Sequence, residues 1–184
     1  MAYFYFDSKD LNKQTSHDLL RSLVFQLSFR SSPCGDILHQ LYKTHEHGTQ
    51  QPTDDILKEC LKEMLRLPGQ GPIFIILDAL DECPESRMPS PRNEVLQLVR
   101  ELVDLHLQGL HICVTSRQEV DIRVMFKPLA SHSVSLHDES GQRTDIADYV
   151  RSVVNSSPSI AMRTWRAEDK RLVIDSLTER VDGM

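Results

Sequence analysis

The chain has 184 residues, 40% of them hydrophobic and 26% charged, which is the balance of one globular domain with room for an appendage. Its formal net charge of −6 and the lack of a basic block argue against nucleic-acid binding, which depends on clustered Lys and Arg. No apolar run is long enough to cross a bilayer and no basic flank precedes the first residues, so we expect a cytoplasmic protein without a membrane partner.

The first predicted element is a short strand at residues 2–6, a run of aromatic and small side chains that favours a buried strand over a helix. Its place at the start of the chain leads us to expect further sequence upstream. The apolar spacing from Leu19 to Leu27 then predicts a helix that Ser16 caps and that residues 31–33 end.

Two more helices are predicted before the next strand. The first surrounds residues 37–42 and is followed by a polar loop at residues 45–52. Thr53 is expected to start the second, because Asp54 and Asp55 suit the positive end of the helix dipole.

Beyond a Pro and Gly turn at residues 68–72, the pattern alternates strands with helices. Residues 73–77 show no alternation of apolar and polar positions, as expected of a central parallel strand covered on both faces. A helix that Ser90 caps and Gly109 ends precedes the next strand, at residues 110–114. Further predictions are a loop at 84–89, a helix at 120–126, a strand at 133–136, a helix at 145–154, a loop at 155–159 and a helix at 167–181. This order predicts an α/β fold with a parallel sheet flanked by helices.

Two polar clusters follow strands of this sheet, at the edge where parallel sheets bind ligands. Three carboxylates directly after an apolar strand repel one another near a low-dielectric core, which indicates that they serve a cation. Asp78 suits a Mg²⁺ ligand, and Asp81 or Glu82 suits the orientation or deprotonation of an attacking water. A solvated acidic loop that caps a neighbouring helix is the alternative interpretation.

Arg117 closes the second cluster, at the end of the following strand. A guanidinium in that place can contact a γ-phosphate and report its presence, or it can form an ion pair with a nearby acid. A pair between Arg117 and Asp81 that opens when phosphate arrives is compatible with both interpretations.

The remaining chemistry of the sequence is sparse. Four cysteines, Cys34, Cys60, Cys83 and Cys113, lie too far apart for Cys-x-x-Cys motifs, so we expect reduced and mostly buried thiols. Neither a Gly-x-Ser-x-Gly elbow nor a His-Glu-x-x-His motif occurs.

The segment IFIILDALDEC, residues 73–83, resembles the extended Walker B motif of the NACHT class of STAND ATPases, especially fungal proteins with a nephrocystin-like N-terminal module. Residues 2–7 are similar to the second strand of that family, residues 111–117 to its sensor strand, and residues 145–150 to the helix after its sheet. The resemblance implies a three-layer P-loop NTPase-like sheet with C-terminal helices.

The resemblance also implies roles for the two clusters. Asp78 is the expected metal ligand, and Asp81 and Glu82 are the expected catalytic residues. The expected cofactor-binding residues are Thr115, Ser116 and Arg117. In that family the module binds ATP and drives self-association or contact with other protein domains in signal transduction, while effector domains and ankyrin or other repeats supply output and sensing.

The chain departs from the family pattern because it contains no Gly-x-x-x-x-Gly-Lys-Ser/Thr phosphate loop. That loop supplies the backbone cradle and the Lys that neutralise the β- and γ-phosphates. We therefore expect an incomplete fold without the first strand, which leaves flanking strands with unpaired edges or a rearranged contact. Residues 1–140 are the expected partial NACHT domain and residues 141–184 the start of a helical lid region. Mg-ATP is expected in a complete parent protein, and neither nucleotide binding nor hydrolysis by this chain alone.

Two other functions are compatible with the sequence. One is a non-catalytic protein–protein interaction module on a degenerate NTPase fold. The other is a metal-dependent hydrolase that uses the three carboxylates, although two-metal sites normally need more ligands. The reading frame upstream of Met1 separates the first from a truncated ATPase, since an in-frame phosphate loop favours the ATPase and a stop codon favours the degenerate module.

Overall fold

The computed structural model describes residues 1–85, 90–135, 140–156 and 165–179. The chain divides into two compact units, Met1–Ala130 and Ser131–Met184. The strands of the first unit are β1 (Ala2–Tyr5), β2 (Ile73–Asp78) and β3 (Leu110–Val114). Its helices are α1 (Ser16–Ser28), α2 (Ser32–Thr44), α3 (Asp54–Arg66), α4 (Pro91–Val103) and α5 (Val120–Phe126). Short 3-10 helices cover Leu11–Lys13, Glu46–Gly48 and Leu80–Glu82.

The second unit contains α6 (Ser140–Ser156) and α7 (Ala167–Glu179), which pack against each other. Ala147 and Val154 of α6 are buried. Among the residues that the structure describes, no helix combines the length and the apolar character that a bilayer crossing requires.

The three strands form one parallel sheet in the order β1-β2-β3, which confirms the predicted α/β fold with a parallel sheet. Leu77 pairs with Val114, and Asp78 pairs with Tyr5, so the carboxyl ends of all three strands meet at one edge. The sheet has no gap, because β2 pairs directly with a neighbour on each side; direct pairing of this kind is compatible with the rearranged contact expected where the first strand is missing. Its outer edges belong to β1 and β3.

The two faces of the sheet differ in exposure. In β2, Ile75 is 1% exposed whereas Phe74 is 48% exposed, and in β1 Phe4 is buried whereas Tyr3 and Tyr5 are about half exposed. The buried face belongs to the hydrophobic core that also includes residues of α1, α3 and α4. The predictions that β2 is covered on both faces, and that the first strand is buried throughout, are therefore wrong. An unbroken apolar run is compatible with a strand covered on one face or on both, because its apolar side chains lie on both faces in either case.

The start of α1 corrects the predicted cap. Thr15 is the N-cap residue, and its side chain accepts the N–H of Asp18. Ser16 lies inside the helix and is buried, with its hydroxyl 2.9 Å from an Asp54 oxygen and 2.8 Å from a Glu94 oxygen. Ser16 therefore links α1 to the first turns of α3 and α4 rather than capping its own helix.

Several boundaries also differ from the sequence predictions. Residues 31–33 begin α2 rather than end the first helix, since the Ser31 side chain caps it by accepting the N–H of Cys34. The helix α4 ends at Val103, well before Gly109, with Asp104 as its C-cap. The predicted loop at residues 45–52 contains a 3-10 helix.

The predictions for the remaining chain are mostly confirmed. Ser90 caps α4, Thr53 is the N-cap of α3, and α5 spans the predicted residues. The predicted helices at 145–154 and 167–181 lie in α6 and α7, with residues 180–181 outside the described part. Residues 133–135 contain no strand, so that prediction is wrong there. Residues 86–89, 136 and 157–159 also lie outside the described part, and α6 extends into the predicted loop as far as Ser156.

Part of the outer edge of β1 is covered by a side chain. Gln26 of α1 accepts the N–H of Tyr3 at 3.0 Å and donates to the Tyr3 carbonyl at 2.7 Å. The same amide donates to the Ser22 hydroxyl at 2.9 Å. The carboxamide thus takes the place of a neighbouring peptide group. It occupies the N–H and the carbonyl of Tyr3, which are otherwise available for pairing with another strand.

Candidate functional site

The two predicted polar clusters lie side by side at the carboxyl edge of the sheet. We call residues 78–82 the acidic turn and residues 115–117 the polar end of β3. The Thr115 N–H donates to the Leu77 carbonyl at 2.9 Å, and the Leu80 N–H donates to the Thr115 carbonyl at 3.0 Å. The backbone therefore holds the two segments in register beyond the last strand pair.

Asp78 and Thr115 are joined through their side chains. The Thr115 hydroxyl donates to Asp78 Oδ1 at 2.5 Å and accepts the N–H of Ala79 at 3.0 Å. Both residues are exposed. Carboxylate and hydroxyl oxygens are hard ligands of the kind that Mg²⁺ prefers. Within the described residues, however, no cluster of three or more His, Cys, Asp or Glu forms that could hold a metal ion.

The acidic turn owes its shape to two adjacent residues. Ala79 has φ 53° and ψ 47°, the left-handed conformation, which costs a non-glycine residue about 1 kcal/mol. Leu80 then returns to the core and is fully buried. This pair reverses the chain after Asp78 and places Asp81 and Glu82 in a short 3-10 helix above the strand end.

Asp81 binds the polar end of β3. Its Oδ1 accepts the N–H of Arg117 at 3.0 Å, and its Oδ2 lies 3.5 Å from Arg117 Nε. The Asp81 side chain is 9% exposed, whereas the Arg117 side chain is 82% exposed. The carboxylate is thus engaged with the backbone of its neighbour while the guanidinium extends into solvent.

Glu82 and Ser116 take no part in these two pairs. Glu82 Oε2 accepts both the N–H of Ser8, at 2.9 Å, and the Ser8 hydroxyl, at 3.1 Å. Ser8 lies in the loop after β1, so the ends of all three strands contribute to this site. The Ser116 hydroxyl donates to the Arg117 carbonyl at 2.8 Å and is not directed to an acid.

Cys83 follows the acidic turn, and its thiol is unreactive. Its thiol is fully buried and donates to the Gln14 carbonyl at 3.2 Å. Burial raises the pKa of the Cys83 thiol to about 12, so it stays protonated and is a poor nucleophile. Cys34 and Cys60 are also buried and Cys113 is exposed, and all four thiols are free, as predicted.

Two further residues belong to this site, Ser8 and Arg92, and neither was predicted from the sequence. Ser8 follows the strand that pairs with β2, so its place after a strand end, like that of Thr115, is the signal that identifies it. Arg92 is buried and its guanidinium donates to the carbonyls of Asp81 and Cys83. Its signal in the sequence is a charged residue in register with the apolar stripe of α4.

The comparisons with known proteins match the part of the chain that carries this site. A family model described as Nephrocystin 3, N-terminal, matches residues 1–117. That range contains the three strands, the acidic turn and the polar end of β3. No curated protein and no solved structure matches the chain.

Proposed function

The chain belongs to the Nephrocystin 3, N-terminal family, and on that premise we propose that it is a partial NACHT-type STAND NTPase module of a signal-transduction protein. In this proposal the acidic turn is a Walker B element and the polar end of β3 is a sensor element. The two elements serve a nucleotide whose main phosphate contacts lie outside these 184 residues.

The observation that carries this proposal is the contact between the ends of β2 and β3. Asp78 leaves the central strand and accepts the hydroxyl of Thr115, while Asp81 accepts the backbone of Arg117. Four of the six residues proposed for nucleotide chemistry are therefore joined in two adjacent pairs. A solvated acidic loop that has no function in common with the end of β3 would not require both of these contacts.

The roles of the acids follow from their partners. Asp78 and the Thr115 hydroxyl are exposed oxygen donors that would face Mg²⁺ of a bound Mg-ATP, which in turn would neutralise charge on the phosphates. Because Asp81 is engaged with the Arg117 backbone, we assign it to orienting the sensor element. Glu82, which Ser8 orients, then remains to position or deprotonate water.

The chain alone is proposed not to bind or hydrolyse ATP. It contains no phosphate loop, and three carboxylates without such a cradle repel a triphosphate. Among the described residues, no strand pairs with the outer edge of β3 beside Thr115, where a further parallel strand would lie next to the site. A loop carried by such a strand would lie near Asp78.

Titration of this chain with Mg-ATP tests the proposal. We expect no saturable heat signal in calorimetry up to millimolar nucleotide, and no phosphate release above the buffer blank. Micromolar binding with turnover would show that the 184 residues form a complete site and would refute the partial module.

Variants of a longer parent that carries the loop test the assigned roles. We expect Asp78→Asn to weaken Mg-nucleotide binding at least about tenfold, and Glu82→Gln to slow hydrolysis by about 10²-fold with little change in binding. Asp36→Asn, an exposed acid of α2, is the matched control and should change neither. Unchanged turnover in both site variants would remove these roles.

A second candidate is a non-catalytic interaction module on a degenerate NTPase fold. It is favoured by the exposed aromatic side chains of the sheet, Tyr3, Tyr5 and Phe74, which a partner protein or a second copy of the module can cover. An in-frame phosphate loop upstream of Met1 supports the ATPase module, and a stop codon there supports this alternative.

A further inference from the structure

Arg92 is a buried cation at the unfavourable end of a helix. It is the second residue of α4, where the helix dipole is positive, and it is only 7% exposed. Taking a guanidinium out of water is costly unless its donors are satisfied. Its contacts therefore identify what the residue does.

Those contacts hold the backbone of the acidic turn. Arg92 Nη2 donates to the Asp81 carbonyl at 2.7 Å, and Nε donates to the Cys83 carbonyl at 2.9 Å. The planar fork of a guanidinium can bind both carbonyls at once, whereas the single ammonium of a lysine cannot reproduce that geometry. The carbonyls lie on either side of Glu82, so the fork sets the backbone that carries this carboxylate.

The third arm of the guanidinium reaches the helix after β3. Arg92 Nη1 lies 3.4 Å from Asp121 Oδ2 in α5, and 3.6 Å from Glu85 Oε2. The acidic turn and the segment after β3 are thus joined twice, through Arg92 to Asp121 and through Asp81 to Arg117. The two links use different charged residues, so no single substitution removes both.

We propose that Arg92 is a positioning residue that fixes the acidic turn and couples it to α5 through Asp121. Displacement of α5 pulls on the guanidinium and through it on the carbonyls beside Glu82. The catalytic meaning of this coupling rests on the proposed function, but the mechanical link does not, and the two are tested separately.

Alkylation of Cys83 reports the position of the turn without nucleotide. Cys83 is fully buried directly after the turn, and Cys60 in the core of α3 serves as an internal reference in the same chain. Iodoacetamide labelling of the native protein, followed by mass spectrometry of the two cysteine peptides, gives a rate for each thiol. Opening of the turn exposes Cys83 alone, whereas global loss of stability raises both rates.

We expect Arg92→Lys to raise the labelling rate of Cys83 relative to Cys60 by about tenfold, the ratio that corresponds to about 1.4 kcal/mol. Asp121→Asn, which keeps both carbonyl bonds, should give a smaller selective rise. Arg100→Lys, an exposed arginine at the other end of α4, is the matched control and should leave the ratio unchanged.

The outcomes separate the parts of the proposal. Equal increases for Cys83 and Cys60 in Arg92→Lys would reduce Arg92 to a general stabilising residue and overturn its positioning role. A normal ratio in Asp121→Asn would overturn the coupling to α5, and this milder variant keeps that coupling testable if Arg92→Lys does not fold. Failure of nucleotide binding in a longer parent would instead bear only on the proposed function.

Discussion

Leu80→Ala is expected to lower the free energy of unfolding by about 3 kcal/mol, the typical loss for a buried leucine. Leu80 is fully buried and lies between Ala79, with its left-handed backbone, and Asp81. Its side chain anchors the acidic turn to the core, so truncation leaves a cavity directly below the candidate site. Urea denaturation followed by circular dichroism measures the change.

Leu11→Ala is the matched control, because Leu11 is 72% exposed in the first unit. Its expected effect is within about 0.5 kcal/mol, as for most surface substitutions. The denaturant dependence should be unchanged in both variants, which confirms that the unfolded states are comparable. A loss below about 1 kcal/mol for Leu80→Ala would mean that the acidic turn does not depend on this anchor.

Stability is expected to fall steeply above pH 9 because two buried thiols resist ionisation in the folded state. Burial raises the pKa of Cys83 from 9.0 to about 12 and that of Cys60 from 9.0 to about 11. Above pH 9 the unfolded chain releases these protons while the folded chain keeps them, so unfolding becomes more favourable as pH rises. Each thiol contributes about 1.4 kcal/mol per pH unit, and the pair should cost about 4 kcal/mol by about pH 10.5.

The double variant Cys60→Ala and Cys83→Ala isolates this effect. It removes both titrating thiols but keeps the lysines and tyrosines that also titrate in this range. We expect its free energy of unfolding to decline much less between about pH 8 and about pH 10.5 than that of the unchanged chain. Parallel declines in the two proteins would show that the thiols do not set the alkaline limit.

The order of strands and helices was readable from the sequence where apolar runs were long and their borders sharp. Residues 110–114 and 120–126 form the predicted elements, and the strand at 73–77 extends by one residue to Asp78. The exposure of the sheet was not readable, because Phe74 and Ile75 are equally apolar although only Ile75 enters the core. The composition of a strand does not reveal what covers each face.

The candidate site was predictable to the extent that it depends on strand ends. The carboxyl ends of parallel strands share one edge, which allowed the pair of Asp81 and Arg117 to be predicted. The contact of Asp78 with Thr115 was not predicted, because it also requires β2 and β3 to be direct neighbours. Arg92 was not predictable in the same way, since it binds backbone carbonyls, and every residue has a carbonyl. The cap at Thr15 was missed because two neighbouring hydroxyl residues fit the same position and only packing against Asp54 and Glu94 selects Ser16 for the interior.

The amide of Gln26 occupies both main-chain groups of Tyr3 at the β1 border of the sheet. A filament of copies joined by main-chain hydrogen bonds requires strand pairing at both edges of the sheet in every copy. A strand that pairs with β1 must first displace the two hydrogen bonds of this amide. This cost at β1 disfavours repeated main-chain pairing and so protects a small parallel sheet from polymerisation.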